Sequence, residues 1–140
     1  RGSWRPPANK ILPEYQDLKV GDIIPDGPPG SAYYEVVGLE RDRFLILRAT
    51  THFKYVAPKF FYGTRFEPRG AFSWAFILER ISQSQTRLTS RWRGTGKPRI
   101  YMMVFVMPGI WFIDHVQQPV ILKGIKRRVE KVVSPGMVTT

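Results

Sequence analysis

Alternating apolar and polar positions divide the first two thirds of the chain into short strands. After an irregular lead-in at residues 1–10, an apolar segment at 18–24 precedes the turn-forming sequence PDGPPGS at 25–31. The runs AYYEVVGLE at 32–40 and RFLILRATT at 43–51 are rich in β-branched and aromatic residues. Because only two residues separate these runs, they predict an antiparallel hairpin.

A second hairpin, FSWAFILERISQSQTRLTSRWRG at residues 72–94, has two chemically different faces. With the two-residue period of a strand, large side chains share one face of its first strand: Phe72, Trp74, Phe76 and Leu78. On the second strand, Leu88, Ser90 and Trp92 share one face, whereas Arg87, Thr89, Arg91 and Arg93 share the other. The pattern predicts an aromatic face turned to the interior and an arginine ladder (Arg87, Arg91 and Arg93) turned to solvent.

The hydrophobic spacing becomes helical near residue 110. Leu122, Ile125, Val129 and Val132 recur on one helical face, and Pro119 predicts a kink or a helix start. We expect about five antiparallel strands within 18–93, with a loop at 52–70, and then a long amphipathic helix over 110–133 that covers the apolar side of the sheet. The segment 100–107 fits either a last strand or an early helical turn.

Length and charge limit the class of protein. The 140 residues suffice for a single domain over 1–140, and a content of 43% hydrophobic and 24% charged residues is typical of a folded globular chain. The net charge of +11 favours contact with phosphate backbones or anionic lipid head groups. However, the arginine ladder lies opposite the aromatic rings, which argues against a nucleic-acid platform, where both would share a face.

The sequence shows little catalytic or metal-binding chemistry. It has no cysteine, two histidines and scattered carboxylates, so we expect neither a metal nor a cofactor. His52 lies in the predicted loop. Asp114 and His115 are adjacent at the predicted helix start, where neighbouring side chains diverge and form no ready dyad. They are nevertheless the catalytic candidates, together with Tyr34 as a further proton donor.

The longest apolar run, IYMMVFVMPGIWFI at 100–113, has 14 residues and contains Pro108 and Gly109. Crossing a bilayer takes roughly 20 apolar residues, so we expect a cytoplasmic protein that does not span a membrane. The lead-in RGSWRPPANK lacks the apolar core of a signal peptide. Cations of the predicted helix are candidates for contact with an anionic membrane surface: Lys123, Lys126, Arg127, Arg128 and Lys131.

Four motifs in this order resemble bacterial proteins of the START-like (SRPBCC) superfamily, the helix-grip proteins described as polyketide cyclase/dehydrase-like. They are ILPEYQDLKVGDIIPDGP, FLILR, SWAFILE…TRLTSRWRG and DHVQQPVILKGIKRRVE, within residues 9–130. The resemblance implies a curved antiparallel sheet wrapped around a long C-terminal helix, with an apolar ligand between them. The first strand and helix pair of the family have no counterpart here. This implies a fragment, or an exposed sheet edge that favours a homodimer.

The function we expect is binding of a small hydrophobic ligand, of polyketide, sterol or lipid type, between sheet and helix. Side chains expected to line this space are Tyr34, Phe72, Trp74, Phe76, Ser90, Trp92, Phe112, His115 and Val116. Because a buried indole N–H needs a partner, Trp74 and Trp92 are expected to orient a polar group of the ligand. The alternatives are a cyclase- or dehydratase-type enzyme that uses the same cavity, and a basic surface that binds an anionic membrane or nucleic acid.

Overall fold

Five antiparallel strands form one open sheet in which spatial order follows chain order. The computed structural model describes residues 13–56 and 58–133. The strands are β1 (Ile23–Pro25), β2 (Tyr33–Glu40), β3 (Phe44–Ala49), β4 (Arg69–Arg80) and β5 (Thr86–Lys97). A short helix α1 (His52–Val56) follows β3, a long helix α2 (Arg99–Val133) follows β5, and 3-10 turns lie at Pro13–Tyr15 and Lys59–Phe61. The protein is therefore α+β, with a meander of five strands and a long C-terminal helix, as the sequence pattern predicts.

The strand register gives the sheet an aromatic face and a cationic face. Trp74 pairs with Trp92 and Phe76 with Ser90, while Leu47 of β3 stands opposite Trp74 on its other side. One residue along, Ala75 pairs with Arg91 and Glu79 with Arg87, which places the exposed arginine ladder on the opposite face. The predicted two-sidedness of this hairpin is confirmed, because a strand sends successive side chains to opposite faces.

Helix α2 begins at Arg99, directly after Pro98, and not near residue 110 as predicted. The ambiguous segment 100–107 is therefore helical. Two π-helical turns interrupt the α geometry at Met102–Val106 and Ile113–Gln117, and each ends two residues before a proline, Pro108 or Pro119. Proline lacks an N–H and its ring crowds the carbonyl four residues back, so a widened turn lets the helix continue.

The most buried cluster lies where α1 and the start of α2 meet the sheet. It contains Phe53, Tyr101, Met102 and Val106. A glycine pair in the sheet, Gly70 opposite Gly96, provides the necessary space. A Cβ on Gly96 would lie 2.5 Å from the Met102 side chain, and a Cβ on Gly70 would lie 2.3 Å from a backbone oxygen. Gly96 therefore lets Met102 of α2 lie against β5, and Gly70 leaves room for the β5 backbone and for Phe53 of α1.

Most of α2 remains exposed beyond this cluster. Apolar side chains along its outer face, Ile100, Met103, Val104, Met107 and Trp111, are all more than half exposed. Within the described part of the chain, α2 is the one helix long and apolar enough to cross a membrane, judged by length and composition alone. Its inner face lies over the aromatic face of the sheet, and the candidate site is between the two.

Candidate functional site

A cavity of about 280 Å³ lies between the aromatic face of the sheet and α2. Its wall is mostly aromatic and aliphatic. The sheet side is formed by Tyr34, Phe72, Trp74 and Trp92, α1 adds His52 and Phe53, the β1–β2 turn adds Asp26, and α2 adds Val106, Ile110, Gln117, Gln118 and Ile121. The volume is at the lower end of ligand pockets, so it suits a small apolar molecule of roughly ten to fifteen non-hydrogen atoms.

The aromatic wall is held by ring-to-ring contacts. Phe72 packs edge-on against Tyr34 with centroids 6.0 Å apart, and it lies 5.8 Å from Trp92. Tyr34 also lies 6.0 Å from Trp74. Tilted and edge-to-face pairs at these distances are favourable, so the wall is preformed without a ligand.

Both indole N–H groups of the wall have partners within the protein. Trp74 Nε1 donates to Ser90 Oγ at 2.8 Å, and Trp92 Nε1 donates to the carboxylate of Asp114. We expected these indole N–H groups to orient a polar group of the ligand, but in the structure both donate to side chains of the protein. The second bond connects β5 to α2, so Asp114 helps to position the helix over the sheet.

A histidine–aspartate pair forms the polar end of the cavity. His52 Nε2 lies 3.0 Å from Asp26 Oδ2, and the His52 side chain is only 17% exposed. Asp26 follows β1 and is positioned by its N–H, which donates to the Ala32 carbonyl at 2.9 Å. His52 follows β3, and its ring lies 4.6 Å from that of Tyr34 on β2. Because the strands are antiparallel, β1 and β3 end where β2 begins, and this brings Asp26, His52 and Tyr34 together at one end of the strands.

Electrostatics keep Tyr34 protonated. Its burial raises the pKa of the phenol far above the usual value, and the negative charge of Asp26 and a hydrogen bond to it raise the pKa further. Asp26 thus accepts hydrogen bonds from both Tyr34 and His52.

Two side-chain atoms among the described residues are buried and lack a hydrogen-bond partner, namely His52 Nδ1 and Gln118 Oε1. Both belong to residues that line the cavity.

The structure brings some predicted site residues together and separates others. Tyr34, Phe72, Trp74 and Trp92 line the cavity. Phe76 contacts Trp74 at 4.7 Å between centroids, and Ser90 supports Trp74 from behind, so both lie next to the cavity and do not line it.

The predicted residues of α2 do not reach the cavity. Phe112, His115 and Val116 lie on exposed helix faces. The ring of His115 stacks on Trp111 at 4.4 Å, and its Nδ1 lies 2.9 Å from the Trp111 carbonyl oxygen. Our expectation that His115 faces the interior was therefore wrong, and it forms no dyad with Asp114, whose carboxylate is bound to Trp92.

Sequence reasoning missed the polar end of the cavity. The sequence pattern places Asp26 in a turn and His52 in a loop, and it assigns neither residue to the site. A usable signal was present, because Asp26 directly follows β1, His52 comes shortly after β3, and both strands flank β2, which carries Tyr34. Within residues 13–56 and 58–133, no group of three or more metal-ligating side chains is placed to hold a metal ion.

The predicted cationic end of α2 is largely exposed. Lys123, Lys126, Arg127 and Lys131 are exposed, and Arg128 is half-buried. Lys126 Nζ lies 3.7 Å from Glu130 Oε1.

Comparisons of the chain with family models, with curated proteins and with solved structures gave no match. The cavity and the exposed surface of α2 are therefore the features of the molecule that bear on its function.

Proposed function

We propose that the chain binds a small hydrophobic ligand in the cavity between the aromatic face and α2, in a helix-grip arrangement of the START-like kind. One observation carries this proposal: a preformed space of about 280 Å³ whose wall is mostly ring and aliphatic side chains. Burying about 200 Å² of apolar ligand surface contributes roughly 5 kcal/mol at 25 cal/mol per Å². This corresponds to a dissociation constant of about 0.2 mM, and polar contacts to the ligand would lower it further.

A cavity-filling variant tests the location of binding. Ile121 lines the cavity from α2, whereas its neighbour Val120 is 67% exposed. We expect Ile121→Trp to weaken binding of a hydrophobic probe such as naphthalene at least tenfold, because an indole occupies the ligand space. Val120→Trp adds the same group on the outside and serves as the matched control. Isothermal titration calorimetry measures both. Unchanged affinity in a folded Ile121→Trp protein would place the ligand elsewhere.

An enzyme that uses the same cavity is the second candidate. Cyclase or dehydratase chemistry needs a group that accepts a proton from the substrate. The Asp26–His52 pair is the group positioned for this role, since its carboxylate orients the imidazole at the cavity wall. Turnover of a bound ligand that is abolished by Asp26→Asn, with affinity retained, would support catalysis.

Contact with an anionic membrane is favoured by a separate observation. Helix α2 carries exposed apolar side chains over its first half and the exposed cations Lys123, Lys126, Arg127 and Lys131 over its second half. The apolar run of 14 residues at 100–113 extends about 21 Å as a helix, which is shorter than the roughly 30 Å of a bilayer core. We therefore favour a helix that lies at the membrane surface, where a carrier would take up or release its ligand.

A further inference from the structure

We propose that the open edge of β5 binds an extended acidic segment of a partner protein, which pairs with β5 and extends the sheet. Strand pairing at this edge is independent of ligand binding in the cavity, because it uses the backbone of β5 and not its aromatic side chains. Three features of β5 support it: its length, the direction of its backbone groups and the arginines beside them.

The two edges of the sheet differ in length and in their protection. At one edge, β1 has three residues (Ile23–Pro25) and ends in a proline, which has no N–H to donate. At the other edge, β5 has twelve residues (Thr86–Lys97), contains no proline and pairs with β4 without a shift in register. Short strands and prolines protect a sheet edge from pairing, whereas a long regular strand leaves it available. β5 is therefore the edge that can accept another strand.

The register of β4 shows which backbone groups of β5 point away from the sheet. Leu78 donates its N–H to the Arg43 carbonyl at 2.7 Å, so its polar backbone groups point to β3. These groups alternate sides along a strand, so those of Ile77 point to β5, where Thr89 stands opposite. Because the same alternation continues along β5, the N–H and C=O groups of three residues point outward: Leu88, Ser90 and Trp92. None of these groups has a backbone partner among the described residues.

A groove of about 390 Å³ lies beside these groups, between β5 and α2. Its lining from the two elements is Ser90, Arg91, Trp92, Arg93, Asp114, Gln118 and Leu122. Side chains on one face of an added strand would enter this groove, next to Leu122 and Gln118. β-Branched residues of moderate size, such as valine, suit this position and favour an extended backbone.

Arginines stand on the other face of the same edge. Arg91 and Arg93 are exposed and form no ion pair with the described residues, and Arg87 Nη1 lies 3.8 Å from Glu79 Oε2. Carboxylates at every second position of an added strand would lie next to these guanidinium groups, because cross-strand neighbours share a face. The net charge of +11 also attracts an acidic partner. The expected occupant thus alternates acidic and β-branched residues.

The same charges disfavour other occupants of this edge. Antiparallel pairing of β5 with β5 of a second copy would bring the arginines of both copies onto one face, where like charges repel. The lead-in at 1–10 has three cations, Arg1, Arg5 and Lys10, and no acidic residue, so it gains nothing from the arginine ladder. An acidic segment of another protein is therefore the occupant that the charges favour.

Two peptides of opposite charge test the proposal. One is a fluorescein-labelled heptapeptide in which valine and glutamate alternate, beginning and ending with valine, and the other has lysine in place of glutamate. By fluorescence anisotropy at pH 7.5 we expect the glutamate peptide to bind at least about tenfold more tightly than the lysine peptide.

A charge reversal in β5 locates the binding. Arg91→Glu should weaken binding of the glutamate peptide about tenfold and strengthen binding of the lysine peptide. Arg41→Glu, at an exposed position in the β2–β3 turn, makes the same change in net charge and should alter either affinity less than about twofold. If Arg91→Glu does not fold, Arg91→Ser replaces it, with an expected loss of about threefold.

N-methylated peptides distinguish strand pairing from charge attraction alone. In antiparallel addition the valines stand opposite Leu88, Ser90 and Trp92, so the valine N–H groups face β5 and the glutamate N–H groups face solvent. N-methylation of the valines should therefore abolish binding of the glutamate peptide, whereas N-methylation of the glutamates should keep its affinity within about threefold.

The outcomes decide between an added strand and its alternatives. Tighter binding of the glutamate peptide that depends on Arg91 and on one set of its N–H groups supports the proposal. Equal affinities of the two methylated peptides overturn strand pairing, because the attraction is then electrostatic only. Absence of glutamate peptide binding, or no effect of Arg91→Glu, also overturns the proposal. A dimer in sedimentation equilibrium that blocks peptide binding would overturn it in favour of a second copy at this edge.

Discussion

The hydrogen bond between Trp92 and Asp114 should contribute measurably to the stability of the fold, because it joins α2 to β5 at the edge of the cavity. Replacing Asp114 by Ala leaves the half-buried indole N–H without its acceptor. A hydrogen bond to a charged group contributes about 1.5–3 kcal/mol. Because the bond is partly exposed to solvent, we take the lower end of this range for its contribution. The higher helix propensity of Ala offsets up to about 0.7 kcal/mol of the lost stability. The expected net loss is about 1 kcal/mol.

This loss translates into a shift in the unfolding temperature. At about 2.1 cal/mol/K per residue, a chain of 140 residues unfolds with an entropy of about 0.3 kcal/mol/K, so 1 kcal/mol lowers Tm by about 3 °C. Asp114→Asn keeps an oxygen acceptor at the same distance from the backbone, so it should retain most of the stability. His115→Ala, on the exposed face next to Asp114, is the control and should change the free energy of unfolding by less than about 0.5 kcal/mol.

Thermal and urea unfolding, followed by circular dichroism and tryptophan fluorescence, compare the three variants. An Asp114→Ala protein as stable as Asp114→Asn would refute the reasoning, since the acceptor would then be dispensable. An Asp114→Asn protein as unstable as Asp114→Ala would show that the negative charge, and not hydrogen-bond acceptance, is what matters.

Three further predictions concern the site, the core and the outer face of α2. Since Tyr34 holds its proton more tightly in the folded than in the unfolded chain, stability should fall as pH rises above about 10, and Tyr34→Phe should show a shallower fall in urea titrations from pH 9 to 11. Gly96→Val should lower the free energy of unfolding by about 2 kcal/mol, because the new side chain collides with Met102. Gly109→Ala, whose Cβ meets no atom within 4 Å in the described structure, should raise the free energy of unfolding by up to about 1 kcal/mol. Equal effects of the two variants would contradict the packing argument. In vesicle flotation, the protein should bind anionic but not zwitterionic lipid, less so at 0.5 M than at 0.1 M salt, and Trp111→Ser should weaken this binding; binding that ignores lipid charge and salt would exclude the surface mode.

The two-residue period was the most informative sequence signal. Once Phe72, Trp74 and Phe76 were assigned to one face of a strand, the arginines of the partner strand could only lie on the other, and the register confirms this. No tertiary information was needed, because side chains alternate along every strand. The sequence therefore predicted the sheet residues Tyr34, Phe72, Trp74 and Trp92 of the cavity wall, whereas Phe76 and Ser90 share their face of the sheet but lie next to the cavity.

The helix side of the cavity was predicted poorly for a physical reason. Pro108, Gly109 and Pro119 resemble helix breaks, yet two π-helical turns let α2 continue past both prolines. Each π turn holds more residues than an α turn, so it rotates the positions that follow relative to a regular helix. A regular helical period of 3.6 residues therefore does not predict which of His115 and Gln118 has its side chain facing the sheet. The structure turns Gln118 inward and His115 outward.

The polar end of the cavity depends on contacts that span the chain. Asp26 and His52 are 26 positions apart, and Gln118 comes from a third element. Only the antiparallel pairing of β2 with β1 and β3 brings the first two together, and only the docking of α2 adds the third. Because Tyr34 stands in β2 between them, a shift of one residue in the register of β2 would turn its phenol to the opposite face and remove one donor from Asp26. The chemistry of the cavity is thus a property of the sheet register, which no local motif encodes.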